Sequence, residues 1–185
     1  MTIMPKFVIE KRRKRYIVDK KRNPRWRLLL AEGIGKDCDG YIELHPIEVV
    51  YLAMKRRIEK ISGEIDVKSI ISSESKKDEK FMIKLAAYLD LKERGFPVRI
   101  VDAKPIIFEV YDRSSDILID ESKRYIMVVS AEKSIGIEEL DYALKYAKKH
   151  GKQLVLAILD QDGDIVYYKV DSALKVEVSL KLRKQ

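Results

Sequence analysis

Cysteine is almost absent: Cys38 is the only one in 185 residues. A disulfide framework is thereby excluded, and no Cys-x-x-Cys or Cys/His spacing offers a zinc site. Histidine is nearly as scarce, with His45 and His150 alone. That leaves little material for a metal centre or for proton transfer near neutral pH, and no metal or cofactor is expected. No apolar run approaches the roughly 18 residues that a membrane helix needs, and no signal-peptide core follows the N-terminal charges. A soluble, cytoplasmic protein without membrane contact is expected. Acidic residues are missing from one place in particular. Residues 1–27 hold eleven Lys/Arg against only Glu10 and Asp19, an excess of nine, within a chain whose net charge is +8. The remainder is therefore one short of neutral, so the whole basic surplus sits at the N-terminus.

What is present fits a folded protein. Hydrophobic residues make up 46% of the chain, enough for a core, and 37% are charged, a bias common in heat-adapted proteins. The basic N-terminal run KRRKRY…KKRNPRWR interleaves Tyr16 and Trp26 with its charges. Arg12, Arg13, Arg15, Arg25 and Arg27 are candidates for phosphate contact and Trp26 for stacking on an unpaired base. The alternative is a solvated basic strand pair with Trp26 in the core.

Residues 41–61 read as a short strand and a helix opened by Pro46, with Val49, Leu52, Ala53, Arg56 and Ile61 in approximate helical spacing. The Ser- and charge-rich stretch 62–78 reads as a connection with a little helix inside. A helix follows over 79–94, stopped by Gly95. Strands are expected at 98–101, 105–111, 124–129, 153–160, 164–170 and 174–182, with a helix at 137–149 ended by Gly151. Leu174, Val176, Val178 and Leu180 share one face of the last strand, which suits pairing with another chain or an internal edge. The expected fold is α/β and α+β: a smaller α+β N-terminal domain with a basic arm over 1–75, and a nuclease-like mixed sheet flanked by helices over 76–185.

YIELHPIEVVYLAMKR (41–56), YLDLKERGFPVR (88–99), FEVY (108–111), RYIMVV (124–129) and GKQLVLAILDQDGDIVYYKV (151–170) resemble, in order and spacing, the archaeal tRNA-splicing endonuclease family. The resemblance implies metal-independent cleavage of precursor tRNA at intron boundaries, leaving a 2′,3′-cyclic phosphate and a 5′-hydroxyl. It also implies three functional positions: a tyrosine as base, a histidine as acid and a lysine to steady the phosphate. Tyr111 stands at the first and Lys152 at the third, but Ser122 stands where histidine is expected. A hydroxyl does not titrate near neutrality and cannot replace imidazole as a proton donor.

Two further departures agree. The glycine-rich turn before the FxVY strand becomes VDAKP (101–105), and the base-clamping arginine on the last helix becomes Lys145. Lysine keeps the charge and loses the flat guanidinium. The resemblance therefore points to the non-catalytic, structural subunit of a heteromer, two plus two with a catalytic subunit. In that arrangement an acidic loop, here Asp160, Asp162, Gly163 and Asp164, enters a basic pocket of the catalytic partner. The same four residues also read simply as a hairpin turn. Two alternatives remain: an active RNA endonuclease using Tyr111 and Lys152, with His150 in an altered role, and a stand-alone RNA-binding protein on a degenerate nuclease fold. On the residues alone, Tyr111 reads as strand-end packing, and Lys152 and His150 as ordinary residues at a helix C-terminus. No role is assigned to His45.

Overall fold

The basic N-terminus is a strand pair. Phe7 and Ile9 are buried along Phe7–Arg12 (β1), and Tyr16, Ile17 and Val18 along Arg15–Asp19 (β2). The two strands are antiparallel, with Lys11 opposite Tyr16 and Arg12 opposite Arg15. The intervening Arg13 takes φ 57°, the left-handed conformation that tight hairpin turns demand. A computed structural model describes residues 5–62, 66–172 and 175–178, which divide into two compact units.

The first unit comprises residues 1–82 with 116–118. After Arg27–Ala31 (α1) come Lys36–Cys38 (β3) and Tyr41–Leu44 (β4), then Pro46–Met54 (α2). His45 caps α2: its Nδ1 accepts from the Ile47 amide at 3.2 Å, while Glu48 accepts from the His45 amide at 2.8 Å. This reciprocal cap satisfies amides that a helix start leaves without partners.

The helix stops sooner than its apolar spacing predicts. Arg56 adopts φ 54°, and the Arg57 amide bonds back to the Leu52 carbonyl at 2.8 Å. That closure ends a helix, so Ile61 belongs instead to Ile58–Ser62 (β5), parallel to β1. The sheet order is β3-β4-β2-β1-β5. The connection expected at 62–78 contains an eleven-residue helix, Val67–Lys77 (α3), capped by the Asp66 carboxylate.

The second unit comprises residues 83–115 and 119–185. Phe81–Glu93 (α4) buries Phe81, Leu85, Tyr88 and Leu91, and Gly95 at φ 81° ends it. Val98–Ala103 (β6), Ile106–Val110 (β7), Arg124–Ser130 (β8), Gln153–Leu159 (β9), Ile165–Ser172 (β10) and Lys175–Val178 (β11) form a sheet in the order β11-β10-β9-β8-β7-β6. Only β8 and β9 run parallel, joined by Ile137–Lys149 (α5).

Alternation along the strands buries both faces. Tyr125, Met127 and Val129 pack with Leu140, Ala143 and Ala147 of α5. On the other face, Tyr88 of α4 meets Phe108 with ring centroids 5.8 Å apart, and Tyr167 donates to Asp90 at 2.7 Å. The fold is thus mixed α/β and α+β, two mixed sheets each with helices. In β11, Val176 and Val178 stand opposite Val170 and Tyr168. Leu174 and Leu180, expected on the same face, lie outside the described residues. Among the described residues no helix is long and apolar enough to cross a membrane.

Candidate functional site

Parallel pairing brings distant residues to one end of the second sheet. Arg124 pairs with Gln153 at the start of β8 and β9, so the residues just before these strands, Ser122 and Lys152, are neighbours. β7 runs antiparallel to β8, and Val110 opposite Arg124 delivers Tyr111 to the same end. Gly151 at φ 65° ends α5, and the Lys152 amide bonds back to the Ala147 carbonyl at 2.9 Å. The three positions singled out in the sequence therefore converge.

At their centre lies a residue that sequence reasoning passed over, Glu109. Its Oε1 accepts from Lys152 Nζ at 2.5 Å and from the Ser122 hydroxyl at 2.6 Å, and Lys152 also bonds to Ser122 Oγ. The Tyr111 hydroxyl donates to Oε2 at 3.4 Å, and Arg99 stands 4.0 Å from the same oxygen. The Lys152 and Glu109 side chains are only 14% and 12% exposed. Lys152 Nζ also sits 5.0 Å from the Tyr125 ring centroid, and Arg99 lies 5.7 Å from that of Tyr111.

Burial by itself would raise the Glu109 pKa. The hydrogen bonds from Lys152 and Ser122, with the charges of Lys152 and Arg99, outweigh it and hold the carboxyl below its ordinary value. Tyr111 moves the other way: burial, then the Glu109 charge, push its phenol above the usual range, with Arg99 opposing. A phenol so placed resists ionisation. Lys152 Nζ is committed to Glu109 and Ser122. The cluster thus holds one carboxylate among a lysine, a hydroxyl, a phenol and a guanidinium.

A sequence signal for Glu109 did exist. It precedes Tyr111 by two residues on a strand, which puts both on one face.

The other singled-out residues lie elsewhere. Lys145 is exposed on α5 and pairs with Asp141 at 2.6 Å. His150 is exposed, its Nδ1 2.8 Å from the Tyr146 carbonyl oxygen, and takes no part in the Glu109 cluster. Asp160, Asp162, Gly163 and Asp164 form the turn between β9 and β10, at the opposite end of those strands from Lys152. Asp160 Oδ1 accepts from the amides of Asp162 at 3.0 Å and Asp164 at 2.8 Å, and Gly163 takes φ 87°. Asp160 thus shapes the turn, while Asp162 and Asp164 stand exposed.

In the first unit, Arg12 pairs with Glu10 at 3.0 Å and Arg15 with Glu43 at 3.4 Å. Arg13 and Arg25 are exposed and meet no carboxylate among the described residues. Trp26 is half-buried, with Lys20 Nζ 4.6 Å and the Arg27 guanidinium 4.7 Å from its ring centroid. Tyr16 is buried and offers no face to a base. Among the described residues no group of three or more His, Cys, Asp or Glu could hold a metal ion.

A family model described as tRNA intron endonuclease, catalytic C-terminal domain, matches residues 81–167, the stretch that carries this cluster. The chain is similar to the tRNA-splicing endonuclease of Thermococcus onnurineus, 30% identical over 139 residues, covering 74% of this chain and 80% of the relative. It matches that of Pyrococcus furiosus at 30% over 147 residues, covering 78% and 84%. That of Methanococcoides burtonii is 34% identical over 140 residues, covering 74% of this chain but only 38% of the relative.

Proposed function

The chain belongs to the tRNA-splicing endonuclease family, whose members act on precursor tRNA, and we propose that it serves there as a non-catalytic, structural subunit. The carrying observation is the Glu109 cluster. Ser122 stands where the family pattern has its histidine, and Lys152 and Tyr111 both bond to the Glu109 carboxylate. The chain assembles as two copies with two catalytic subunits, and so positions both active sites on the two intron boundaries. In this reading residues 1–75 form the N-terminal domain, residues 76–185 the nuclease-like domain, and the complex works in the cytoplasm. Arg13 and Arg25, whose charges are uncommitted, are the members of the basic run best placed to add phosphate contacts, ahead of Arg12 and Arg15.

The test is direct. Intron-bearing precursor tRNA incubated with this chain alone should remain intact, and adding a partner that bears tyrosine, histidine and lysine at the three positions should produce cleavage. Cleavage by the chain alone would overturn the reading in favour of an active endonuclease, which the convergence of Tyr111 and Lys152 would then explain.

The acidic turn supplies a second prediction. Asp162→Asn with Asp164→Asn removes two exposed charges without disturbing the Asp160 hydrogen bonds. Affinity for the catalytic subunit should fall about tenfold, some 1.4 kcal/mol, with thermal stability unchanged. Asp160→Asn, which keeps the accepting oxygen, should cost less than Asp160→Ala. Equal assembly of the double variant and the native chain at moderate salt, by titration calorimetry, would contradict insertion of this turn into a basic pocket.

A further inference from the structure

The donors around Glu109 outnumber what a single ion pair needs. Lys152 Nζ lies 2.5 Å and the Ser122 hydroxyl 2.6 Å from Oε1, while the Tyr111 hydroxyl and the Arg99 guanidinium face Oε2 at 3.4 and 4.0 Å. Two cations and two hydroxyls thus converge on one carboxylate. They come from four separate segments: β6, the residue after β7, the loop before β8 and the residue before β9. Lys152 also bonds to Ser122 Oγ, so these two donors are tied to each other as well as to Glu109.

Take the carboxylate away, and what remains is a site for another anion. A phosphodiester, like a carboxylate, spreads one negative charge over two oxygens, and lysine, arginine and hydroxyl donors are the groups that bind it. Here the anion comes from within the chain, because Glu109 precedes Tyr111 by two residues and shares its face of the strand. Its carboxyl is held below its ordinary value, so it is charged throughout the neutral range. Arg99 is 40% exposed against 12% for Glu109, so solvent reaches the donors from the Arg99 side.

We propose that Glu109 is a built-in anion that fills a phosphodiester site in this chain and so keeps the RNA backbone out of it. In an assembly that must seat two intron boundaries, a non-cutting chain whose own strand-end site accepted a phosphate would offer the RNA a competing position. Glu109 removes that position by occupying it, and discrimination against a wrong arrangement is often built in this way. The inference rests on the reading of the chain as a non-cutting subunit, and it gives Glu109 a part in deciding where precursor tRNA binds.

The first probe is inorganic phosphate, set against chloride at equal ionic strength, with the melting temperature of the full chain as the readout. Glu109→Ala vacates the site and leaves its donors. At about 100 mM phosphate its melting temperature should rise by about 5 °C, as for a site half-filled at a few millimolar. The native chain and Glu109→Gln, which keeps the bulk, should shift by no more than about 1 °C. Lys152→Met added to Glu109→Ala should abolish the rise. Glu109→Ser, whose hydroxyl can still accept from Ser122, provides a second opened variant with a smaller loss of stability. The second probe is precursor tRNA, followed by anisotropy with the chain alone. It should bind Glu109→Ala about tenfold more tightly than the native chain, one charged contact regained.

No rise in either opened variant would overturn the proposal. So would an equal rise in the native chain or in Glu109→Gln, or a rise that survives Lys152→Met. A phosphate-dependent rise at unchanged affinity for precursor tRNA would overturn it too, since the exclusion would then not concern RNA. Cleavage of precursor tRNA by the native chain would sink this inference together with the structural-subunit reading. A phosphate-blind Glu109→Ala in a chain that cuts nothing would sink this inference alone.

Discussion

Glu109→Ala should destabilise the protein by about 2–3 kcal/mol in urea denaturation followed by circular dichroism. Breaking a fully buried ion pair by removing one partner typically costs about 3–5 kcal/mol, because the other charge is stranded away from water. The smaller figure allows for the residual exposure of Lys152 and Glu109, 14% and 12%. The loss has two parts, the stranded Lys152 ammonium and the unsatisfied Ser122 hydroxyl that Glu109 accepted from at 2.6 Å. Replacing both charges with apolar groups, Glu109→Leu with Lys152→Met, should recover most of the stability, since no uncompensated charge then remains. A double variant no better than Glu109→Ala would contradict this account.

The effect has a pH signature. The Glu109 carboxyl is held below its ordinary value of about 4.3, so its contribution is complete above that pH and is lost as pH falls through the lower folded-state value. The stability gap between the native chain and Glu109→Gln should therefore be constant near neutrality and shrink below about pH 4. A gap that widened on acidification would have the wrong sign.

Gly35→Ala should destabilise the N-terminal unit by about 3 kcal/mol. Gly35 sits at φ +79°, where an L side chain is strained by roughly 1–2 kcal/mol. An added Cβ would run into Ile42 Cγ2 and come within 3.0 Å of Leu44 Cδ2 and 3.1 Å of the Glu43 carbonyl oxygen. Ile42 and Leu44 are buried in β4, so the methyl overpacks a filled core, about 1–3 kcal/mol more. Gly40 offers the control. It has nearly the same φ, +76°, with nothing near the position of a Cβ. Gly40→Ala should therefore show the backbone strain alone, about 1 kcal/mol. Trp26, the only tryptophan, lies in this unit and reports both transitions by fluorescence. Equal losses for the two variants would show that crowding at Gly35 contributes nothing.

Local chemistry made some of this molecule legible in its sequence. The helix over 137–149 matches its expected ends, because Gly151 punctuates its C-terminus and its buried face follows a clean helical period. Tyr111, closing its strand, and Lys152, following a helix C-terminus, were singled out by their match to the family pattern rather than by periodicity. Ile61 went astray because apolar spacing cannot register Arg56 in a left-handed conformation, which residue identity does not announce. Glu109 escaped notice because a charged residue between Phe108 and Val110 reads as the wet side of a half-buried strand. Its partners Ser122 and Lys152 stand 13 and 43 residues further along, and only the parallel pairing of β8 and β9 unites them. The turn at Asp160–Asp164 was readable as a turn, but the division of labour between Asp160 and its neighbours needed hydrogen-bond geometry.

Strand β1 comes first among the described elements, yet it lies inside its sheet, bonded to β2 on one edge and β5 on the other. Its second edge cannot close until synthesis has passed Ser62, where the parallel register with β5 ends. A nascent chain, or a fragment cut before residue 58, presents that row of amides and carbonyls open, the template on which strands of different molecules join. Lys11 and Arg12 follow directly on the open stretch Phe7–Glu10, and charges beside an exposed edge deter such joining. Pairing with β5 thus closes an edge that the first strand would otherwise leave open while the fold is incomplete.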